Sequence, residues 1–97
     1  MARLLSFDKT IMEKRVFPEN ETFTLKEMYK YTNSTIVEFV YLNEGLITGE
    51  HIMIIDEEGK LNNKPINDIA THYFRKYNKT HDFIVGDVLL CDKSEIK

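Results

Sequence analysis

Three histidines, one cysteine and a run of acids are the side chains best equipped for chemistry, so their spacing is the first question. His51, His72 and His81 do not fall at the short intervals of a zinc site, and Cys91 is the only thiol that could join them. No metal site and no cofactor is expected. Asp56-Glu57-Glu58-Gly59 is acidic but lacks the sixth-position glycine and distal glutamate of a calcium loop. Gly45 and Gly49 precede no Gly-Lys-Thr/Ser, and Gly59-Lys60 is followed by Leu61, so no phosphate loop is written here. Nucleophilic catalysis needs a hydroxyl or thiol beside a histidine that a carboxylate holds. Ser6, Ser34 and Ser94 lie in no such context, and Cys91 reads as a small buried side chain near the end of a strand. No catalytic residue is assigned, and the chain is read as a non-enzyme.

Surfaces remain. Asp56, Glu57 and Glu58 form a cluster that suits a basic partner surface and would speed encounter with it by electrostatic steering. As an alternative, backbone amides around Gly45, Gly49, Gly86 and Asp87 could approach a phosphate, which would make the protein a binder of a small nucleotide. Tyr73, Phe74 and Tyr77 could stack on bases, but aromatics at helical spacing are more often core.

The elements that would position these groups are legible in the periodicity. Ile52 to Ile55 is a short β-branched run suited to a strand covered on both faces, and the acids with Gly59 turn it at the surface, Gly59 being free to take a positive φ. After the polar stretch Lys60 to Lys64, Pro65 opens a helix. Its apolar stripe is Ile66, Ile69, Ala70, Tyr73, Phe74 and Tyr77, and Asn78 is its left-handed stop. Asn67 and Asp68 suit the positive end of the helix dipole, and Arg75 and Lys76 the negative end.

Upstream, Arg3 to Phe7 and Met12 to Phe17 pair as a hairpin. Thr24-Leu25-Lys26-Glu27 is a capping box flanked by the staple residues Phe23 and Met28, which fixes a short helix from Thr24 to about Tyr31 with Asn33 as its stop. Leu25 and Met28 are expected to face the core. Thr35 to Leu42 is a strand of β-branched and aromatic residues broken only by Glu38 and Leu42. Asp82 to Cys91 is a last strand in which Gly86 marks a bulge or a close backbone approach, and the tail from Asp92 should fray. The result is an α+β domain, a mixed β-sheet with two helices in the order β-β-α-β-β-α-β, spanning residues 1–97 as one unit.

Composition sets the outer limits. With 42% hydrophobic residues, five tyrosines and six phenylalanines, the chain carries enough apolar surface for a core at 97 residues. A net charge of −3 with scattered bases argues against direct nucleic-acid binding. No apolar run is long enough to span a bilayer, and one cysteine with no leader peptide points to a reducing, cytoplasmic setting. The sequons at Asn20, Asn33 and Asn78 are accordingly chance matches.

Four segments in register carry a resemblance: Ile36-Val-Glu-Phe-Val40, Asp56-Glu-Glu-Gly-Lys-Leu61, Pro65-Ile-Asn-Asp-Ile-Ala-Thr71 and Ile84-Val-Gly-Asp-Val-Leu-Leu90. Together they resemble a small family of unknown function spread through phages and conjugative elements of bacteria. Its pattern carries asparagine where Asp56 stands and a glycine pair where Asn33-Ser34 stands. The resemblance implies no catalytic residues. It implies a context, an accessory protein of a phage or mobile element in a bacterial host cell, in a class that includes inhibitors of host defence. Three functions follow in order of preference: an interaction protein that binds a host protein, a nucleotide-sequestering protein, and an enzyme. The partner's identity and the oligomeric state are left open.

Overall fold

The computed structural model describes residues 2–42 and 50–96. Among them, strands β1 (Ala2–Leu5), β2 (Glu13–Val16), β3 (Val37–Tyr41), β4 (Glu50–Asp56) and β5 (Val88–Asp92) form one sheet in the order β2-β1-β5-β4-β3. Helix α1 (Leu25–Thr32) follows β2, and α2 (Asp68–Asn78) follows β4. The element order is the expected one. The sheet, however, is wholly antiparallel instead of mixed. The reason is topological. The α1 crossover joins β2 and β3, which run the same way but lie at opposite edges of the sheet, so no parallel neighbours arise.

Side-chain alternation along the strands divides the core in two. Ala2, Ile52, Ile54, Leu89 and Cys91 point to one face and meet Phe23 and Met28 at helix α1. Leu5, Met53, Val88 and Leu90 point to the other and meet Ala70, Tyr73 and Phe74 of α2. Three layers result, helix, sheet, helix, with β4 and β5 covered on both faces. Complete burial of side chains such as Met53, Ile54 and Leu89 stabilises the fold by about 1.5–3 kcal/mol each.

The start of α1 follows its sequence signal. Thr24 Oγ1 accepts from the Glu27 amide at 3.1 Å, and Glu27 Oε1 accepts from the Thr24 amide at 2.9 Å. Phe23 and Met28 are both buried, and Asn33 ends the helix at φ 51°, ψ 55°. Leu25 departs from expectation and lies exposed. The buried face of this short helix instead passes through Met28 and Thr32, one turn apart, and Tyr31 meets the Phe23 ring edge-on at 6.0 Å.

Boundaries also shift. The last strand, expected from Asp82, begins only at Val88. Pro65 and Ile66 lie outside the helix: Ile66 bridges to Val85, and the helix begins only after Asn67, whose side chain caps it. Ile66 is therefore exposed, and the left-handed stop is Lys79, one residue beyond Asn78. The tail does not hang free through Ile96. Glu95 Oε1 accepts from the Asp92 amide, the Glu95 carbonyl accepts from Phe23 N at 2.7 Å, and Ile96 bridges to Phe23 beside α1.

Candidate functional site

The acidic turn after β4 is locked from inside. Asp56 is 6% exposed, and its Oδ1 accepts from the Glu58 amide at 2.9 Å, which closes the turn locally. Its Oδ2 pairs with Lys64 Nζ at 2.6 Å, and the same ammonium donates to the Asn33 carbonyl at 2.7 Å and to Thr32 O at 3.1 Å. One lysine thus neutralises the turn's buried carboxylate and satisfies two carbonyls that the end of α1 leaves open. Gly59 is required for space, not for conformation, contrary to its expected positive φ. A Cβ there would stand 2.8 Å from Val85 Cγ2, and the positive φ of this loop falls on Asn63 instead.

Asn67 ties this turn to the rest of the sheet. Fully buried, it accepts from the Ala70 amide through Oδ1 and donates through Nδ2 to Leu5 O at 2.8 Å and Gly86 O at 2.7 Å. Thr71 Oγ1 accepts from Ile84 N, and Gly86 N donates to the Pro65 carbonyl. Gly86 was expected as a bulge or close backbone approach within a strand, but it lies in the bend before β5; glycine is needed there for its φ of +75°, and the near neighbour a Cβ would meet is the Lys64 side chain, Cδ at 2.9 Å. Asp87 Oδ1 accepts from Ser6 Oγ and Phe7 N, which holds the end of β1.

On the α2 side of β3 and β4 this frame borders a cleft of about 160 Å³. Val40, Ile55, Phe74 and Ile84 supply apolar lining, while Glu38, Glu57, Lys60 and Asp82 bring charge. Lys60 Nζ bonds Asp82 Oδ1 at 2.6 Å and lies 4.4 Å from the Phe83 ring centroid, a cation–π contact. The Lys60 ammonium, helped by the Phe83 amide, holds the Asp82 carboxyl below the ordinary aspartate range. Among the described residues Glu38, Glu57 and Glu58 have no cation partner. The arrangement suits a group with an apolar stem and a positive head.

Of the residues singled out in the sequence, Glu57 and Glu58 are exposed as required of a partner-binding turn. Asp56 is not: its carboxylate turns inward and is spent on the fold. Gly86 and Asp87 lie together, yet the Gly86 amide and the Asp87 carboxylate are both engaged within the protein. Gly45 and Gly49 lie outside the described residues, as does the side chain of His51. His72 and His81 are exposed, and among the described residues no three His, Cys, Asp or Glu side chains gather as a metal site. Glu38, Asp82 and Phe83 were missed as site residues. Glu38 had a signal, as the one charge in an otherwise apolar strand, whereas Asp82 had none before the chain folded.

The fold and site define a three-layer domain built on an antiparallel sheet, its conspicuous polar groups used for locking turns. Residues 9–96 match the family described as Domain of unknown function (DUF3846), and the chain belongs to that family. No curated protein and no solved structure matches it. Among the described residues no helix is long and apolar enough to cross a membrane.

Proposed function

We propose that this protein is a non-enzymatic accessory protein of a phage or mobile element that binds a host protein and modulates it, in the manner of an inhibitor of host defence. The observation that carries the reading is that Glu38 and Glu57, without a cation partner among the described residues, line a partly apolar cleft, with Glu58 exposed beside Glu57 on the turn that Asp56 and Lys64 lock. A preformed acidic surface needs little ordering on association, and its charge accelerates encounter with a basic one. The mobile-element setting rests on the motif resemblance in the sequence.

The test is affinity purification from the natural host with the wild-type protein and a Glu57→Lys/Glu58→Lys variant, followed by mass spectrometry of proteins and small molecules. The expected result is one host protein retained by the wild type and lost from the variant. Equal retention by both baits would remove the acidic turn from the interface. A nucleotide carried through purification in place of a protein would favour sequestration.

A further inference from the structure

The two edges of the sheet are not alike. At β2 the exposed edge residues are Glu13, Lys14 and Arg15, the charged kind that discourages another strand from pairing. At β3 the edge reads Val37, Glu38, Phe39, Val40 and Tyr41, with one charge and no base. Glu57 N donates to Ile36 O in the register that pairs Val37 with Asp56. Ile36, Glu38 and Val40 therefore spend their backbone groups on β4, and Val37, Phe39 and Tyr41 turn theirs outward. Asn78 Nδ2 takes the Tyr41 carbonyl, an outward acceptor, at 3.2 Å. The Val37 and Phe39 amides and carbonyls have no partner among the described residues.

We propose that a basic, extended segment of the partner protein adds as a further strand along the open edge of β3, its alternate side chains directed at Glu38 and the cleft behind it. This deepens the reading above and rests on it. Side chains of an added strand alternate between faces. Those on the α2 face would stand beside Glu38 and Val40, where an aliphatic stem meets Val40 and Ile55 and a positive head meets Glu38 or Glu57. Those on the α1 face would flank Val37 and Phe39, and apolar residues fit there. Charge complementarity selects a foreign segment over a second copy of this chain. Antiparallel pairing of two β3 strands about Phe39 sets Glu38 opposite Val40, and a register one step away sets it against another glutamate, so neither brings a cation.

The experiment selects short random peptides on the purified full chain and follows amide hydrogen exchange with the enriched peptides bound. Enriched peptides should carry Lys or Arg at alternate positions with apolar residues between, and should slow exchange at Val37 and Phe39. Glu38→Lys should weaken them by about tenfold or more, a loss of about 1.4 kcal/mol. Val37→Pro, which removes an outward N–H at an edge position where proline is tolerated, should abolish binding. If that variant does not fold, N-methylating alternate residues of the peptide tests the same hydrogen bonds. No enrichment, enrichment without bases, or binding that leaves β3 exchange unchanged overturns the proposal. So does concentration-dependent protection of β3 without peptide, which would assign the edge to a second copy. A host protein lost from the Glu57→Lys/Glu58→Lys bait while β3 stays unprotected would sink the strand addition alone; retention by both baits would take the acidic turn out of the interface, and no host protein retained by either bait would sink the parent reading.

Discussion

Lys60 and Lys64 each pair with an aspartate at 2.6 Å, but the two pairs should differ several-fold in what they contribute. The Lys60–Asp82 pair is about half exposed on both sides, where screening leaves about 0.2–1 kcal/mol. The Lys64–Asp56 side chains are 18% and 4% exposed, so deleting the lysine strands a buried carboxylate at a cost of about 3–5 kcal/mol. Urea denaturation should show Lys64→Met losing about 3 kcal/mol or more and Lys60→Met under about 1 kcal/mol; equal losses would contradict the locked turn. Asn67→Ala removes three buried hydrogen bonds, to Leu5 O, to Gly86 O and from the Ala70 amide, at about 1 kcal/mol or more each, so about 3 kcal/mol should disappear from the unfolding free energy. A loss below about 1 kcal/mol would mean that the network relaxes without it. Asn67 was legible in the sequence only as a polar residue at a helix start, because its acceptor Leu5 lies 62 residues away. Asp56 was placed at the surface for the same reason: composition showed three acids in a row, and which one turns inward depends on where Lys64 folds back. Either asparagine or aspartate could close the turn through its side-chain oxygen, but only aspartate brings charge to Lys64.

The elements were read most reliably where their signals are local. Thr24, Glu27, Phe23 and Met28 lie within six residues, and the capping box and staple form as written. Thr24→Ala should cost about 1 kcal/mol through loss of the cap. The cap also sets a pH dependence. The amides of Thr24 and Glu19 hold the Glu27 carboxyl below its ordinary value, so its contribution is fully present above the unfolded glutamate pKa of about 4.3 and is lost as pH falls through the lower folded value. Glu27→Gln should therefore be destabilised relative to wild type near neutral pH, with the gap narrowing below about pH 4 in thermal melts. A gap that does not change with pH would remove the ionised cap from the account. Where elements depend on distant partners, the periodicity misled. The stripe from Ile66 to Tyr77 is a valid 3.6-residue pattern, yet Ile66 is drawn into a bridge with Val85, and Asn67 takes the cap. The tail was read as frayed because nothing in its last residues shows that Phe23 waits beside it.

At the scale of the molecule, the helix and strand order followed from the sequence, and the antiparallel sheet did not. Pairing partners are decided by where each crossover lands, and periodicity carries no information on that. The cleft shares this property: Glu38, Glu57 and Asp82 come from three separate segments and converge only when α2 packs on the sheet. Its proposed role rests on electrostatics, which fixes the most direct measurement. With the host partner purified, association and dissociation rates are measured across a salt series for the wild type and for Glu57→Lys/Glu58→Lys, after equal melting temperatures confirm that both are folded. The wild-type on-rate should fall steeply as salt rises. The variant should bind about tenfold or more slowly at low salt, and the difference should shrink as screening removes the field. On-rates that coincide at low salt, for two folded proteins, would contradict the acidic rim as the binding surface.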